Sequence, residues 1–224
     1  MAYDLFFLSY NEPHAEENWL RFKARFQHAK RVDGVDGIFN AHRECAKRSL
    51  TTHFFVVDAD NEILDFDFKF TVSPYEKDYV HLWYARNPVN GLEYGWGGLK
   101  LFPKKLVLQT EKVGVDMTTS FPLKIIPEVV SITNFNTSAF DTWRSAFREG
   151  VKLSNDSSEE AVQRLNGWHS TSHSAYSAYA LHGVVSAREF LREGGDPALI
   201  NDWVWLREQF DKTFTEDGKI RWMN

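Results

Sequence analysis

The chain has 224 residues, 43% hydrophobic and 25% charged, with a single cysteine and a formal net charge of −5. That balance excludes disordered and fibrous classes and leaves enough chain to bury a full core as one large domain. Cys45 alone excludes an intramolecular disulfide and a cysteine zinc site. It points to a reducing, cytoplasmic setting, while the acidic balance leaves any polyanionic partner to local basic patches.

Tyr3 to Ser9 (YDLFFLS) is a nearly continuous apolar run ending in the turn-prone YNEP, which predicts a buried parallel strand. The start of the chain has no basic region ahead of this run, as a signal peptide would, and no stretch is long and apolar enough for a membrane span. Ala15 to Phe26 spaces Trp19, Leu20, Phe22 and Phe26 among charges, acidic early and basic late, and predicts an amphipathic helix. Val32 to Val35 reads as a brief strand, Ile38 to Ser49 as a helix opened by Gly37, and His53 to Val57 as a second buried strand. The order β-α-β-α-β predicts a parallel sheet with crossover helices.

Beyond residue 60 the pattern changes. Leu64 to Phe70 alternates apolar and charged residues and predicts a half-exposed strand. Tyr79 to Ala85 predicts another strand, Asn87 to Gly91 a turn, and Leu99 to Phe102 and Leu106 to Gln109 short strands on either side of Pro103. Helices are expected over Phe140 to Leu153, Glu159 to Trp168, Ser174 to Glu193 and Ala198 to Phe214. The expectation is an α/β protein of one domain over residues 1–224, with an α/β core in 1–110 and a mainly helical subregion in 111–224.

Asp58-Ala59-Asp60, directly after an apolar strand, is the most informative segment. Carboxylates at i and i+2 there emerge at the carboxyl edge of a sheet, where open α/β folds bind ligands. Two aspartates so close repel unless a cation lies between them, and Mg²⁺ or Mn²⁺ would in turn hold a diphosphate. Alone, such a tripeptide also suits a plain turn. Gly97 and Gly98 beside Trp96 in YGWGGLK offer close backbone approach and an aromatic face for a sugar or base.

Taken together, YDLFFLSYNEP, GIFNAHRECA, HFFVVDADNEI and GWGGLKLF resemble nucleotide-sugar glycosyltransferases of the GT-A type. They are similar in style to small phage transferases that glycosylate hydroxymethylated pyrimidines in DNA. The resemblance implies a Rossmann-type mixed sheet and transfer of a hexosyl or pentosyl group from a UDP-sugar. The acceptor hydroxyl would lie on 5-hydroxymethylcytosine in DNA, in a phage-infected cytoplasm.

It also implies a donor site of Ser9, Tyr10, Asn11, Glu12, Asp33, Gly34, His42, Arg43, Asp58 and Ala59. Metal ligands would be Asp58 and Asp60, with His169 or His173 as a third, and Asp141 or Glu149 would serve as general base. Arg86, Tyr94, Trp96, Gly97, Gly98 and Lys100 would line the acceptor side, and basic residues of Lys23 to Arg31 with Lys104 and Lys105 would track phosphates.

Each of these has a plainer reading. His42 and Arg43 can belong to a solvated helix face, the histidines to a polar cap, Trp96 to the core, and either acid to an exposed helix surface. Other acceptors (a glycan, a lipid, a small molecule) and a non-catalytic nucleotide- or carbohydrate-binding module stay open. A nucleotidyltransferase would need a glycine-rich basic loop after the first strand, which YNEPHAEEN lacks.

Overall fold

A computed structural model describes residues 3–95, 98–134, 137–169, 175–215 and 219–221. The chain forms two compact units, one of Met1–Arg86 with Glu93–Asn134 and the other of Asn87–Leu92 with Phe135–Asn224.

The first unit is built on β1 (Asp4–Ser9), β2 (Lys30–Asp33), β3 (His53–Asp58), β4 (Asn61–Ile63), β5 (Val80–Arg86), β6 (Glu93–Tyr94), β7 (Leu99–Pro103) and β8 (Leu123–Thr133). The sheet runs β2-β1-β3-β7-β5-β8-β4, with β6 beside β5. Pairing is parallel for β1 with β2 and β3 and for β5 with β8, and antiparallel for β7 with β3 and β5 and for β4 with β8. Crossover helices α1 (Ala15–Arg25) and α2 (Ile38–Arg48) join the three parallel strands. This is the Rossmann-type mixed sheet expected from the sequence.

The period of two along β3 divides the core. Phe55 and Val57 join Leu5, Phe7 and Phe22 on the α1 face, while Phe54 and Val56 join Phe6, Leu8, Ala41 and Cys45 on the α2 face. Helix α1 carries Glu16 and Glu17 in its first turn and Lys23 and Arg25 in its last, the order its dipole favours.

Three expectations need correction. Residues 64–70 form no strand. Phe66, Phe68 and Phe70 do share a side, but they cap the α1 face, their rings 4.9–5.8 Å from those of Phe55, Trp83 and one another. Arg25 takes the carbonyls of Ile63 and Leu64 where the chain leaves β4.

Residues 104–109 are helical as α3 (Lys104–Gln109), because Pro103 fixes the turn out of β7 and Val107 then faces the core. β8 falls in the segment expected to be mainly helical. Its β-branched run is interrupted by Pro127 and Glu128, and the register against β5 steps from Trp83↔Ile126 to Tyr84↔Val129, a bulge.

The second unit is helical: α4 (Ala139–Ser154), α5 (Glu159–His169), α6 (Ser177–Arg192) and α7 (Trp203–Thr213). The last predicted helix is divided, since Asp202 accepts from the Trp205 amide at 3.0 Å and caps α7 after a 3-10 turn at Pro197–Asn201. Trp143 stacks on Phe147 (5.0 Å) within a core shared with Val151, Ala187, Leu206 and Phe210. α4 and α6 approach so closely that a Cβ on Gly183 would lie 2.4 Å from the Trp143 carbonyl oxygen.

Candidate functional site

Strand direction brings the sequence candidates of the first unit together. β1, β2, β3, β5 and β8 all point the same way, so Ser9, Asp33, Asp58, Arg86 and Thr133 end at one edge of the sheet. Antiparallel β7 and β4 begin at that edge, which adds Gly98 and Asn61. This is the edge at which open α/β sheets bind ligands.

At the β1–β2 end, Ser9 is buried and its hydroxyl donates to Asp33 Oδ1 at 2.5 Å, while Arg31 Nε donates to Ser9 Oγ at 2.9 Å. Arg31 also pairs with Asp33 and with Glu16. The Tyr10 amide donates to Glu12 Oε2 at 2.6 Å, and the Gly34 amide donates to the Ser9 carbonyl at 3.1 Å. Gly34 has φ +67°, which a side chain would strain. Tyr10, Asn11, Asp33 and Gly34 face solvent.

The Asp58 to Asp60 turn is held from several sides. Asn18 Nδ2 donates to the Ala59 carbonyl at 3.0 Å, the Asp58 amide donates to the Gly98 carbonyl at 3.1 Å, and the Asn134 amide donates to the Asp60 carbonyl at 2.5 Å. Buried Asn61 donates through Nδ2 to Asp60 Oδ1 at 2.8 Å and accepts from Ser131 Oγ at 3.4 Å. Gly98 packs directly on this amide, since a Cβ there would lie 2.0 Å from Asn61 Oδ1.

Asp58 is different. Its Oδ2 accepts from Lys100 Nζ at 2.7 Å and its Oδ1 is buried without a hydrogen bond. Burial pushes its carboxyl above the usual carboxylate range, and Lys100 pulls against that shift.

Among the described residues no three His, Cys, Asp or Glu side chains stand close enough to hold a metal by themselves. Half-exposed Asp60 offers the kind of oxygen that Mg²⁺ or Mn²⁺ takes from a protein while substrate phosphates and water complete the shell.

The structure gives several of the expected site residues partners within the protein. Lys100, only 5% exposed within β7, pairs with Asp58. His42 is wholly buried on the α2 face, its Nδ1 donating to the Ile38 carbonyl at 2.8 Å and its ring 4.9 Å from that of Phe102. Burial, with Lys100 adding to it, pushes its imidazole down to about 3, so it is a neutral core histidine.

Arg43 is half-buried over the Phe39 ring. Arg86 pairs with Glu93 at 2.8 Å, and Tyr94 is buried in β6. Trp96 and Gly97 lie outside the described residues, as does His173.

In the second unit, buried Glu149 accepts from Arg164 at 2.8 Å. Buried Asp141 Oδ2 accepts from Ser138 Oγ at 2.7 Å and Thr137 Oγ1 at 2.9 Å. Both carboxylates are buried and bonded within the helical unit, so neither lies on an exposed helix surface. His169 closes α5, its imidazole pulled down by burial and then by Arg188.

Several of the basic residues expected to track phosphates have partners, while Lys105 is exposed. Lys23 bonds the carbonyls of Gln27 and Ala29, Lys30 pairs with Asp4, and Lys104 bonds the Ser49 carbonyl. Sequence reasoning named Arg31 only within a basic stretch and missed Asn18, Asn61 and Ser131. Only Asn61, adjoining the motif, carried a local signal.

The fold and this edge together define an α/β protein with a carboxylate turn at the carboxyl edge of its parallel strands. No protein-family model matches the chain, and no curated protein matches it. Among solved structures it is similar to the mannosyltransferase PcManGT from Pyrobaculum calidifontis, solved in complex with GDP-Man and Mn2+, with TM-score 0.43 and 12% identity over 96% of this chain and 82% of that one.

Proposed function

We propose that the protein is a metal-dependent glycosyltransferase that uses a nucleoside-diphosphate sugar, a UDP-sugar first among candidates. One observation carries the reading: the D-A-D turn, the Ser9–Asp33–Arg31 network and the Gly98 backbone converge at the carboxyl edge of the parallel strands. The nucleoside would lie over the ends of β1 and β2, beside Tyr10, Asp33 and Gly34, with the diphosphate at the Asp58 to Asp60 turn.

A divalent cation bound there supplies charge neutralisation to the diphosphate. Asp60 would hold it in the orientation set by Asn61. In the transfer, the acceptor oxygen bonds to the anomeric carbon while the bond from that carbon to the phosphate oxygen breaks. The electron pair leaves on the nucleoside diphosphate, and the hydroxyl proton passes to a base.

Calorimetric titration of UDP with Mn²⁺, with EDTA, and on Asp60→Ala tests the donor site. Heat that requires both the metal and Asp60 is the expected result, and no heat with any nucleoside diphosphate refutes it. An acceptor panel then follows, headed by 5-hydroxymethylcytosine DNA, to which the sequence resemblance points, and continuing to glycans and small alcohols.

A further inference from the structure

The motif holds two carboxylates, yet the structure treats them oppositely. Asp60 sits half-exposed and is oriented by a neutral amide, Asn61. Asp58 is met by a full positive charge projected from β7, with Lys100 Nζ 2.7 Å from Oδ2 and the lysine itself 5% exposed.

The pairing is fixed by the sheet. Lys100 lies opposite Val56, two residues before Asp58 on the same face, and next to Leu82 on its other side, so its side chain shares a sheet face with Asp58. Phe102, two residues further along β7, packs on His42 and stacks on Phe54, which closes the α2 face beneath the pair. A lysine in such surroundings makes no use of its length or mobility. Its charge is spent on one partner.

We infer that Lys100 is a positioning residue, an internal counter-ion that occupies Asp58 and keeps it out of the coordination shell of a divalent cation. Asp60 is then the one motif carboxylate that touches the cation, and the diphosphate must supply the other anionic ligands. The cation therefore binds weakly by itself and firmly only together with a nucleoside diphosphate, since affinity for a hard cation rises with the number of charged oxygens presented. The inference rests on the proposed donor site and adds the order in which its ligands assemble.

Mn²⁺ binding followed by the electron paramagnetic resonance of the free ion, with and without UDP, tests it on the full chain. Lys100→Met releases Asp58 and is expected to raise Mn²⁺ affinity in the absence of UDP by about tenfold, while Lys100→Arg keeps the weak binding of the parent. Unchanged or weaker Mn²⁺ binding by a folded Lys100→Met overturns the proposal.

Lys100→Met leaves the buried Asp58 Oδ1 with no ammonium beside its carboxylate, so a second comparison stands beside the first. Asp58→Asn, which still accepts from Lys100, is expected to shift Mn²⁺ affinity with UDP by less than about threefold, whereas Asp60→Asn loses about thirtyfold or more. Equal losses in the two variants would show both aspartates on the metal and sink the counter-ion role alone. Failure of the unmodified protein to take up Mn²⁺ with any nucleoside diphosphate would bring down the donor site, and the inference with it.

Discussion

Charged residues form bonded networks in both units of this chain, but for different ends. In the sheet unit they stand at strand termini, where Ser9, Arg31 and Asp33 close one network and Lys100 and Asp58 another. In the helical unit they lie along α4, where Asp141 completes a helix cap, Arg144 lies over the Trp203 ring at 3.6 Å and Glu149 bonds Arg164. A parallel strand delivers its last residue to an edge with open backbone groups and ligand access, whereas a buried position on a helix is surrounded by packed neighbours. A bonded carboxylate therefore suggests chemistry at a strand terminus and architecture along a packed helix.

The largest test of that contrast is in the helical unit. Gly183 leaves no room for a methyl group, let alone a branched one, against the Trp143 carbonyl. Gly183→Val is expected to cost about 3 kcal/mol in urea unfolding, as overpacking in a tight interface does. A loss near zero would mean that α4 and α6 slide apart readily and that packing is not what organises this unit.

In the sheet unit, His42 gives a pH-dependent test. Unfolded, it titrates near about 6.5, and in the fold it is pushed down to about 3. Below pH 6.5 the unfolded chain takes up a proton that the folded chain refuses, so stability falls as pH falls through this window, by about 1.4 kcal/mol per pH unit. Urea unfolding of the parent should lose about 2 kcal/mol between pH 6.5 and 5 beyond any loss in His42→Leu. Parallel pH profiles would show that the imidazole is not held neutral.

The parts legible in the sequence were those with a single physical cause. Continuous apolar runs marked β1 and β3 because strands covered on both faces have no polar side. The D-A-D turn stood out through its context, a buried strand before it and the βαβα order leading to it, since two aspartates alone also suit a plain turn. His42 and Lys100 were not, since a helix position and a strand position on the α2 face become neighbours only through the pairing of β7 with β3. β8 hid behind Pro127, which reads as a strand breaker and instead sits in a bulge. Phe66, Phe68 and Phe70 were read correctly as one-sided, but one-sidedness does not say whether a ladder partner is available.

Gly98 sharpens the comparison at the site itself. A methyl group there must displace Asn61, and with it the bond that orients Asp60. Gly98→Ala is expected to weaken UDP binding in the presence of Mn²⁺ by about tenfold, equivalent to about 1.4 kcal/mol, in calorimetric titration. Binding at the parent level would mean that Asn61 has room to give and that the turn does not depend on it.

The smallest effect separates architecture from chemistry on α4. Ser138 Oγ accepts from the Asp141 amide at 3.0 Å and donates to the same residue's carboxylate, so the pair serves the first turn of the helix reciprocally. Ser138→Ala should cost about 1 kcal/mol of stability, the usual worth of a cap, because it leaves one orphan amide without its acceptor. UDP and Mn²⁺ binding should be unmoved, since cap and donor edge share no residue. A cap variant that keeps full stability but loses turnover would return Asp141 to the reaction, because freeing its carboxylate would then have changed chemistry without changing the helix.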